Sequence, residues 1–294
     1  QDDHEYNETE KQMRLKNKFF DLILYLNLPL TFGVLFWGFS EISSQSLEMY
    51  EIIGLTVSLG IVLSSNGINV AHELGHRKTT FEKTLSKLLL MPSLYMHFYV
   101  EHNFGHHKNV ATNEDPATAK KNQSLYSFWI TSVVGQYFNA WRIQLKLLKQ
   151  NGSPFLSLKN DMLFYVFFQS IYLILIYIFF GTYTLLFAIL VAIISFLLLE
   201  TINYIEHYGL LRKKVNGRYE KVQTIHSWNS NHFVGRIVLY ELTRHSDHHY
   251  RTSKKYQILE NKNESPQLPF GYPTSMLISM IPPLWYKLMN PRLV

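Results

Sequence analysis

Four long apolar stretches, separated by charged segments, dominate the pattern of hydrophobic and polar positions along the chain. Each is about long enough to cross a hydrocarbon core of roughly 30 Å as a helix. Gly181 lies between the last two and is a turn signal, so this pair predicts a helical hairpin. A buried hairpin in a soluble protein is the alternative for that pair. We predict an all-α, polytopic membrane helical bundle in which residues 1–294 form one domain, with spans near residues 20–40, 52–72, 162–180 and 183–203.

Three further segments have weaker patterns. Residues 88–96 are mostly apolar but too short to cross a bilayer, so we expect a re-entrant, interfacial or buried element. Residues 127–149 begin with mostly apolar residues and carry basic side chains in their second half, which predicts an interfacial amphipathic helix. The tail from residue 268 is rich in proline and predicts irregular structure with one short helix.

The charged segments assign a side of the membrane to each helix end. Residues 41–51 contain glutamates and no lysine or arginine, whereas basic groups follow His76 and His207. By the positive-inside rule, the basic segments face the cytoplasm and the acidic connector faces outward. We therefore expect an integral membrane protein with the basic segments on the cytoplasmic side.

Histidines are grouped in four short clusters at the predicted cytoplasmic ends. Spacings of three or four residues place imidazoles on one helix face, whereas a residue five positions along lies further round the helix. One helix can therefore offer ligands to two adjacent ions. Each imidazole buried without a partner would cost roughly 1–3 kcal/mol, and a metal removes that cost. The clusters contain His72, His76, His102, His106, His107, His207, His245, His248 and His249. We expect the others, His4, His97, His226 and His232, to form hydrogen bonds instead.

The number of histidines bears on the choice of metal. Neutral imidazole suits iron, copper, zinc and nickel alike. Nine imidazoles exceed what one ion can bind, whereas two ions would share them and keep open positions. The residues from His72 to His76 also match the His-Glu-x-x-His zinc-protease pattern, with Glu73 as general base, but that site uses only three protein ligands. A metal transporter is a third interpretation, although transport sites usually lie near the bilayer midplane.

Composition limits the remaining classes. The chain has no cysteine, which excludes disulfides, thiolate ligands and covalent haem attachment within it. It has no Walker loop and no Gly-x-Gly-x-x-Gly fingerprint. The net charge of +6 is modest, and we expect no nucleic-acid partner.

The sequence around the histidine clusters resembles the membrane-bound alkane 1-monooxygenases. These belong to the integral-membrane di-iron superfamily that also holds fatty acid desaturases and xylene monooxygenase. The resemblance extends from about Asp21 to the end of the chain. Beyond the histidines, it rests on residues 110–116, 203–210, 227–232, 242–249 and 268–272.

The resemblance implies that all nine clustered histidines ligate two irons, at a site facing the cytoplasm from a bacterial inner membrane. It implies terminal hydroxylation of medium-chain or long-chain n-alkanes to 1-alkanols with O2 and two electrons from rubredoxin, which rubredoxin reductase reduces in turn. The substrate would reach the site from membrane lipid. Xylene-type or fatty acyl substrates are the alternative. Carboxylates beside the ligands would hold imidazole N–H groups, with solvated surface carboxylates as the alternative, namely Glu73, Glu101, Glu206 and Asp247.

The chain departs from the family pattern in two respects. Family members usually have six spans, so we expect the first helical hairpin to be absent here. Phe104 and Asn113 stand where the family pattern has arginine and proline.

The predicted orientation can be tested with single cysteines, because the native chain offers no background thiol. Cysteines replacing Ser44 and Lys213 should react with a membrane-impermeant maleimide from opposite sides of intact cells, Ser44→Cys from outside. Labelling of both positions from outside would contradict a cytoplasmic site.

Overall fold

The computed structural model describes residues 6–44 and 46–293, so His4 lies outside the described residues. Helices predominate, which confirms the all-α class, and a small antiparallel hairpin pairs β1 (Lys214–Val215) with β2 (Arg218–Tyr219). The α-helices are α1 (Glu8–Lys16), α2 (Phe19–Ser43), α3 (Met49–Val62), α4 (Asn69–Gly75), α5 (Thr80–Leu90), α6 (Phe98–Glu101), α7 (His107–Asn109), α8 (Leu125–Gln150), α9 (Asp161–His207), α10 (Phe233–Val238), α11 (His245–Tyr250), α12 (Tyr272–Ser279) and α13 (Pro282–Met289).

The chain divides into two compact units. Of the described residues, the first unit contains 6–20, 102–136 and 200–293, and the second contains the intervening segments, 21–101 and 137–199. The assignment of residues 1–294 to one domain stays a prediction.

Three described helices are long and apolar enough to cross a membrane: α2, the helix from Met49 to Gly75, and α9. In the second of these, a π-helical turn at Leu63–Ile68 joins α3 to α4. Helix α9 has 47 residues, and at about 1.5 Å per residue it would be roughly 70 Å long, more than twice a hydrocarbon core. Its backbone leaves helical geometry at Gly181, where φ is 81°, which is the position of the turn signal. How often these helices cross a bilayer stays a prediction.

Apolar side chains from α2, α3 and α9 form the core of the second unit. At Gly38 and Gly60 the helices approach so closely that an added Cβ would collide with Leu59 and Ile194. Small residues at helix contacts are typical of membrane helices, because apolar side chains gain little by moving from lipid into protein. The outer faces are apolar too, with more than half of each side chain exposed at Leu30, Phe36, Trp37, Ile178 and Phe179.

The two weaker internal segments are ordered. Helix α5 ends at Leu90, and Leu89, Tyr95 and Met96 are buried, so residues 88–96 match the buried interpretation. Helix α8 covers the predicted amphipathic helix at 127–149 and is slightly longer.

The tail contains two short helices, α12 and α13, where we predicted one. Prolines lie in the first turn of both helices, where the missing N–H is not needed, so they begin helices and do not prevent them. Trp285 and Met289 of α13 are fully buried in the core of the first unit, together with Trp228 and Tyr204. Burial of this apolar face explains why a proline-rich tail folds.

Helix α1 is fixed to the chain just after α11. Arg14 Nε donates to the Gln257 carbonyl at 2.6 Å, and Lys11 Nζ lies 3.0 Å from Glu260 Oε1. Lys254 Nζ contacts the other oxygen of Glu260 at 2.8 Å. One buried carboxylate therefore links α1 to the segment that follows α11.

Acid should weaken this link. Burial alone would raise the pKa of Glu260, but hydrogen bonds from Lys254 and Lys11 outweigh it and lower that pKa to about 2 from 4.5. Because the folded pKa is lowered, the stabilisation is complete above the unfolded pKa and is lost as pH falls from 4.5 toward about 2. The Glu260→Gln protein should therefore melt below the parent near neutral pH, and the difference should shrink through this range.

Glu8→Gln is the matched control, since it removes a largely exposed charge on the same helix and should change the melting temperature little. A difference between parent and Glu260→Gln that does not vary with pH would contradict the ionic link.

Candidate metal centre

Four histidines of the first unit bring ring nitrogens together. His106, His207, His245 and His249 are all buried, and each contributes one nitrogen to a group whose members lie within 4.8 Å of one another. His245 Nε2 lies 3.1 Å from His207 Nε2. The ring centroids of His106 and His249 are 4.9 Å apart. Nitrogens that converge in this way are arranged as ligands of one transition metal ion are.

Three elements supply this set. His207 is the last residue of α9, where the long apolar helix ends. His245 and His249 lie on one face of α11, four residues apart. His106 closes a π-helical turn at His102–His106. Such turns are rare and often found at functional sites.

The same π-helical turn supplies a second group. His107 Nε2 lies 2.8 Å from His102 Nε2, and the ring centroids of His107 and His248 are 5.0 Å apart. Because π-helical hydrogen bonds connect residues five apart, this turn brings His102 and His107 to the same side. One short element thus serves two groups of imidazoles. The spacing predicted His102 and His106 on one face with His107 further round, but the π-helical turn groups His102 with His107 and separates His106.

The remaining two clustered histidines belong to the second unit. The rings of His72 and His76 are 5.1 Å apart between centroids, on consecutive turns at the end of α4. Between them, Glu73 is buried and pairs with Arg77, whose Nη2 is 2.8 Å away. Arg77 also contacts Asp21 at 3.2 Å. Glu73 is therefore part of a buried ionic group and is not a solvated surface carboxylate.

The other three predicted carboxylates are buried as well. Glu101 accepts a hydrogen bond from Asn139 at 3.1 Å within the second unit. Asp247 accepts hydrogen bonds from Lys254 Nζ at 2.6 Å and from the Glu260 backbone at 2.9 Å. The orienting role of these residues stays a prediction.

Glu206 lies against the four-histidine set. Its Oε2 is 3.1 Å from His245 Nε2, and its Oε1 accepts a hydrogen bond from the Tyr272 hydroxyl at 2.6 Å. Tyr272 is fully buried at the start of α12, and burial raises its pKa well above the usual value, so the hydroxyl keeps its proton. The tail motif at residues 268–272 thus supplies a hydrogen-bond donor to the site.

Asp115 is a site residue to which the sequence interpretation gave no role. Its Oδ2 lies 3.0 Å from His106 Nδ1 and accepts a hydrogen bond from Thr118 at 2.6 Å. The Ala117 backbone donates to the other oxygen at 3.1 Å. A carboxylate that holds one ring nitrogen leaves the other nitrogen directed at a metal. The signal was present in the Asp-Pro-Ala sequence just after the histidine cluster.

The donors fit a transition metal. Both ring nitrogens of His249, and Nδ1 of His207, are buried without a hydrogen-bond partner among the described residues. Burial and the neighbouring histidine rings hold the pKa of His249 well below its usual value, so this ring is neutral, as a ligand must be. Metal binding would remove roughly 1–3 kcal/mol for each unpaired buried nitrogen.

Three histidines outside the clusters lie elsewhere in the described structure. His226 accepts a backbone hydrogen bond from Gln223 at 3.0 Å, and His232 lies 3.1 Å from the Ser230 hydroxyl. His97 packs between the rings of Tyr95 and Tyr137. The geometry of His226 and His232 agrees with the predicted hydrogen-bonding role.

Comparisons with known proteins agree with this site. The fatty acid desaturase family model matches residues 51–275. The alkane 1-monooxygenase of Pseudomonas putida is 38% identical over 95% of this chain and 69% of its own length, and alkane 1-monooxygenase 1 of Alcanivorax borkumensis is 37% identical over the same shares. The hydroxylase component of a Pseudomonas putida xylene/toluene monooxygenase is 30% identical over 94% of the chain and 74% of its own length.

The fold and the site define an integral-membrane, oxygen-using oxidoreductase with a histidine-rich centre. The chain belongs to the fatty acid desaturase family, in the group formed by the alkane 1-monooxygenases.

Replacement of Asp115 should lower the affinity of the site for its metal. In Asp115→Asn the charge that holds His106 is lost, and we expect metal affinity to fall roughly 10-fold to 100-fold. Metal content after dialysis against a graded chelator series measures this. His106→Ala should retain less metal still.

The control is Glu114→Gln, which changes the exposed neighbour of Asp115 and should retain metal as the parent does. Equal retention in Asp115→Asn and the parent would remove Asp115 from the site.

Proposed function

We propose that this protein is a di-iron monooxygenase that hydroxylates the terminal methyl group of medium-chain or long-chain n-alkanes to 1-alkanols. The reaction uses O2 and two electrons from rubredoxin. A rubredoxin reductase reduces the rubredoxin in turn. The observation that carries the proposal is the buried set of His106, His207, His245 and His249. It occurs in a chain 36–39% identical to seven alkane 1-monooxygenases.

In this proposal all nine clustered histidines bind two irons. Seven of them belong to the first unit. The other two, His72 and His76, are included because of the sequence resemblance. Glu73, Glu101, Glu206 and Asp247 are proposed to orient imidazoles, and Asp115 joins them. Iron is favoured over zinc because zinc sites with three protein ligands would leave most of these histidines without a role.

Bound iron would supply the one-electron chemistry that activates O2. The protein side chains hold the ligands in place: Asp115 fixes the His106 ring, and Tyr272 fixes Glu206 beside His245. These groups are buried, so water is kept from the ring nitrogens that would hold the iron.

An alkane gives the protein no polar group to recognise. The second unit contains a groove of about 390 Å³ lined with apolar side chains of α2, α5 and α9, among them Phe32, Phe36, Leu88 and Phe179. A groove of this chemistry supports a hydrocarbon substrate. Burial of one methylene is worth about 0.8 kcal/mol, so discrimination between neighbouring chain lengths should be only a few-fold.

Electrons must come from a centre outside residues 1–294 in this proposal, since these residues contain no cysteine for an iron–sulfur centre. We propose that the protein lies in a bacterial inner membrane with its site facing the cytoplasm, where a soluble reductant reaches it. The basic segments after His76 and His207 support this orientation.

Alkylbenzene methyl groups are the second candidate substrate, because one relative is the hydroxylase component of a xylene/toluene monooxygenase. Its identity of 30% is lower than that of the alkane 1-monooxygenases, which favours alkanes.

The test is an oxygen-isotope experiment on purified protein. Under 18O2, with rubredoxin, its reductase and a mixture of alkanes, xylenes and fatty acids, we expect labelled 1-alkanol that forms only when reductant is present. Unlabelled product would contradict monooxygenation, because its oxygen would come from water. An alkene from a fatty acyl substrate would place the chain with desaturases.

A further inference from the structure

Helix α10 of the first unit carries an exposed apolar face. Phe233, Val234, Ile237 and Val238 are each between 52% and 64% exposed, on a helix of only six residues. Large apolar side chains scattered singly over a surface need no explanation, whereas a cluster of them marks a surface that contacts another phase or molecule. We call these four side chains the α10 face.

The charged residue of α10 is directed into the protein. Arg236 is buried, and its Nε and Nη2 lie 2.7 and 3.0 Å from the two carboxylate oxygens of Glu241. Tyr240 and Glu241 both have left-handed backbone conformations, with φ of 52° and 59°, which residues other than glycine rarely adopt. The Glu241 backbone N–H donates to the Arg236 carbonyl at 2.7 Å, so this turn holds the carboxylate beside the guanidinium.

The polarity of α10 is therefore the reverse of that of a helix facing water, which buries its apolar side and exposes its charges. Elements that contact lipid show the arrangement seen here, because ionisable groups next to hydrocarbon turn toward the protein and are paired there. An interface with a soluble protein has a polar rim around its apolar centre. Within α10, the residues other than the α10 face, Gly235 and Arg236, are buried and supply no such rim. This pattern favours a bilayer as the occupant.

Neighbouring elements of the first unit also expose apolar side chains. A Cβ added at Gly271, which precedes α12, would lie 3.3 Å from His232, which precedes α10, so these two helices begin side by side. On α12 and after it, Leu277 and Ile281 are more than half exposed. The apolar surface thus continues beyond α10.

Helix α8 extends this surface further. The Tyr126 hydroxyl donates to the Met280 carbonyl at 2.7 Å, which joins the start of α8 to the chain after α12. Ile130 and Val134, one and two turns further along α8, are more than half exposed. These are the positions for which the sequence predicted an interfacial helix.

The first unit is fixed to the end of an apolar helix. It contains residues 200–207 of α9, which is long and apolar enough to cross a membrane. The Trp228 backbone N–H donates to the Glu206 carbonyl at 2.8 Å, five residues before α10 begins. The chain that leads into α10 is therefore held at the end of α9.

We propose that the α10 face inserts into the interfacial region of the bilayer, as a membrane contact in addition to the long helices. Six residues are too few to cross a hydrocarbon core, so α10 would lie in the interface with Arg236 and Glu241 turned away from the lipid. Only residues 239–244 separate α10 from α11. A bilayer in contact with α10 would therefore lie near the helix that carries His245, His248 and His249. The inference does not depend on the proposed reaction.

The experiment uses single cysteines in the full chain, which has no cysteine of its own. Val234→Cys and Ile237→Cys are labelled with an NBD fluorophore and reconstituted into phosphatidylcholine nanodiscs, with and without nitroxide-labelled lipid. Lys213→Cys is the matched control, because it is an exposed position of the same unit outside α10. Leu30→Cys, at an exposed position of the apolar helix α2, is the lipid-facing reference.

We expect nitroxide lipid to quench the labels at positions 234 and 237 roughly threefold more than the label at position 213, and aqueous iodide to quench them less. Iodide quenching equal to that at position 213 would mean that water covers the α10 face. Protection from both quenchers would mean that protein covers it, such as a second copy of the chain. Either result would overturn the proposal.

A second measurement needs no substitution, in case the labelled cysteines prevent folding. The native chain in nanodiscs is irradiated with a phosphatidylcholine that carries a diazirine in its acyl chain, and the adducts are located by mass spectrometry. We expect adducts on residues 233–238 as well as on α2. Adducts on α2 without any on residues 233–238 would contradict the insertion of α10.

Discussion

Convergence of buried imidazoles is the constraint on which the first unit depends. His106, His207, His245 and His249 come from distant parts of the sequence and place nitrogens within 4.8 Å of one another. Without a shared metal, this packing would leave polar atoms unpaired, as at His249 and at His207 Nδ1. Each element that carries a histidine is in turn fixed by its own contacts, such as that of Asp115 with His106. The geometry of the site therefore depends on the fold of this unit.

Local periodicity allowed the sequence to predict much of this arrangement. The helical face of His245 and His249, the apolar run that ends at His207, and the break at Gly181 all follow from spacing or composition within one element. These are short-range features, in which neighbours in the sequence decide the geometry. The histidine groups could be proposed for the same reason, although the π-helical turn that distributes His102, His106 and His107 between two groups was not predicted.

Long-range partners were beyond such reasoning. Tyr272 contacts Glu206 across 66 positions of sequence, and no periodicity connects a proline-rich tail with the end of a membrane helix. The same limit explains the tail itself, because α13 forms where Trp285 and Met289 become buried against distant aromatic residues. Asp115 is different, because it lies only nine positions from His106. The Asp-Pro-Ala sequence was recognisable there, but it did not indicate that Asp115 would contact a histidine.

The helix α11 is held on both of its faces. Its histidines are buried, while Asp247 between them accepts hydrogen bonds from Lys254 and from the Glu260 backbone. A helix that must keep ligand nitrogens in place has to be fixed on both of its faces. The ionic contacts of Asp247 and Glu260 supply that rigidity on the outer face, and imidazole convergence supplies it on the inner face.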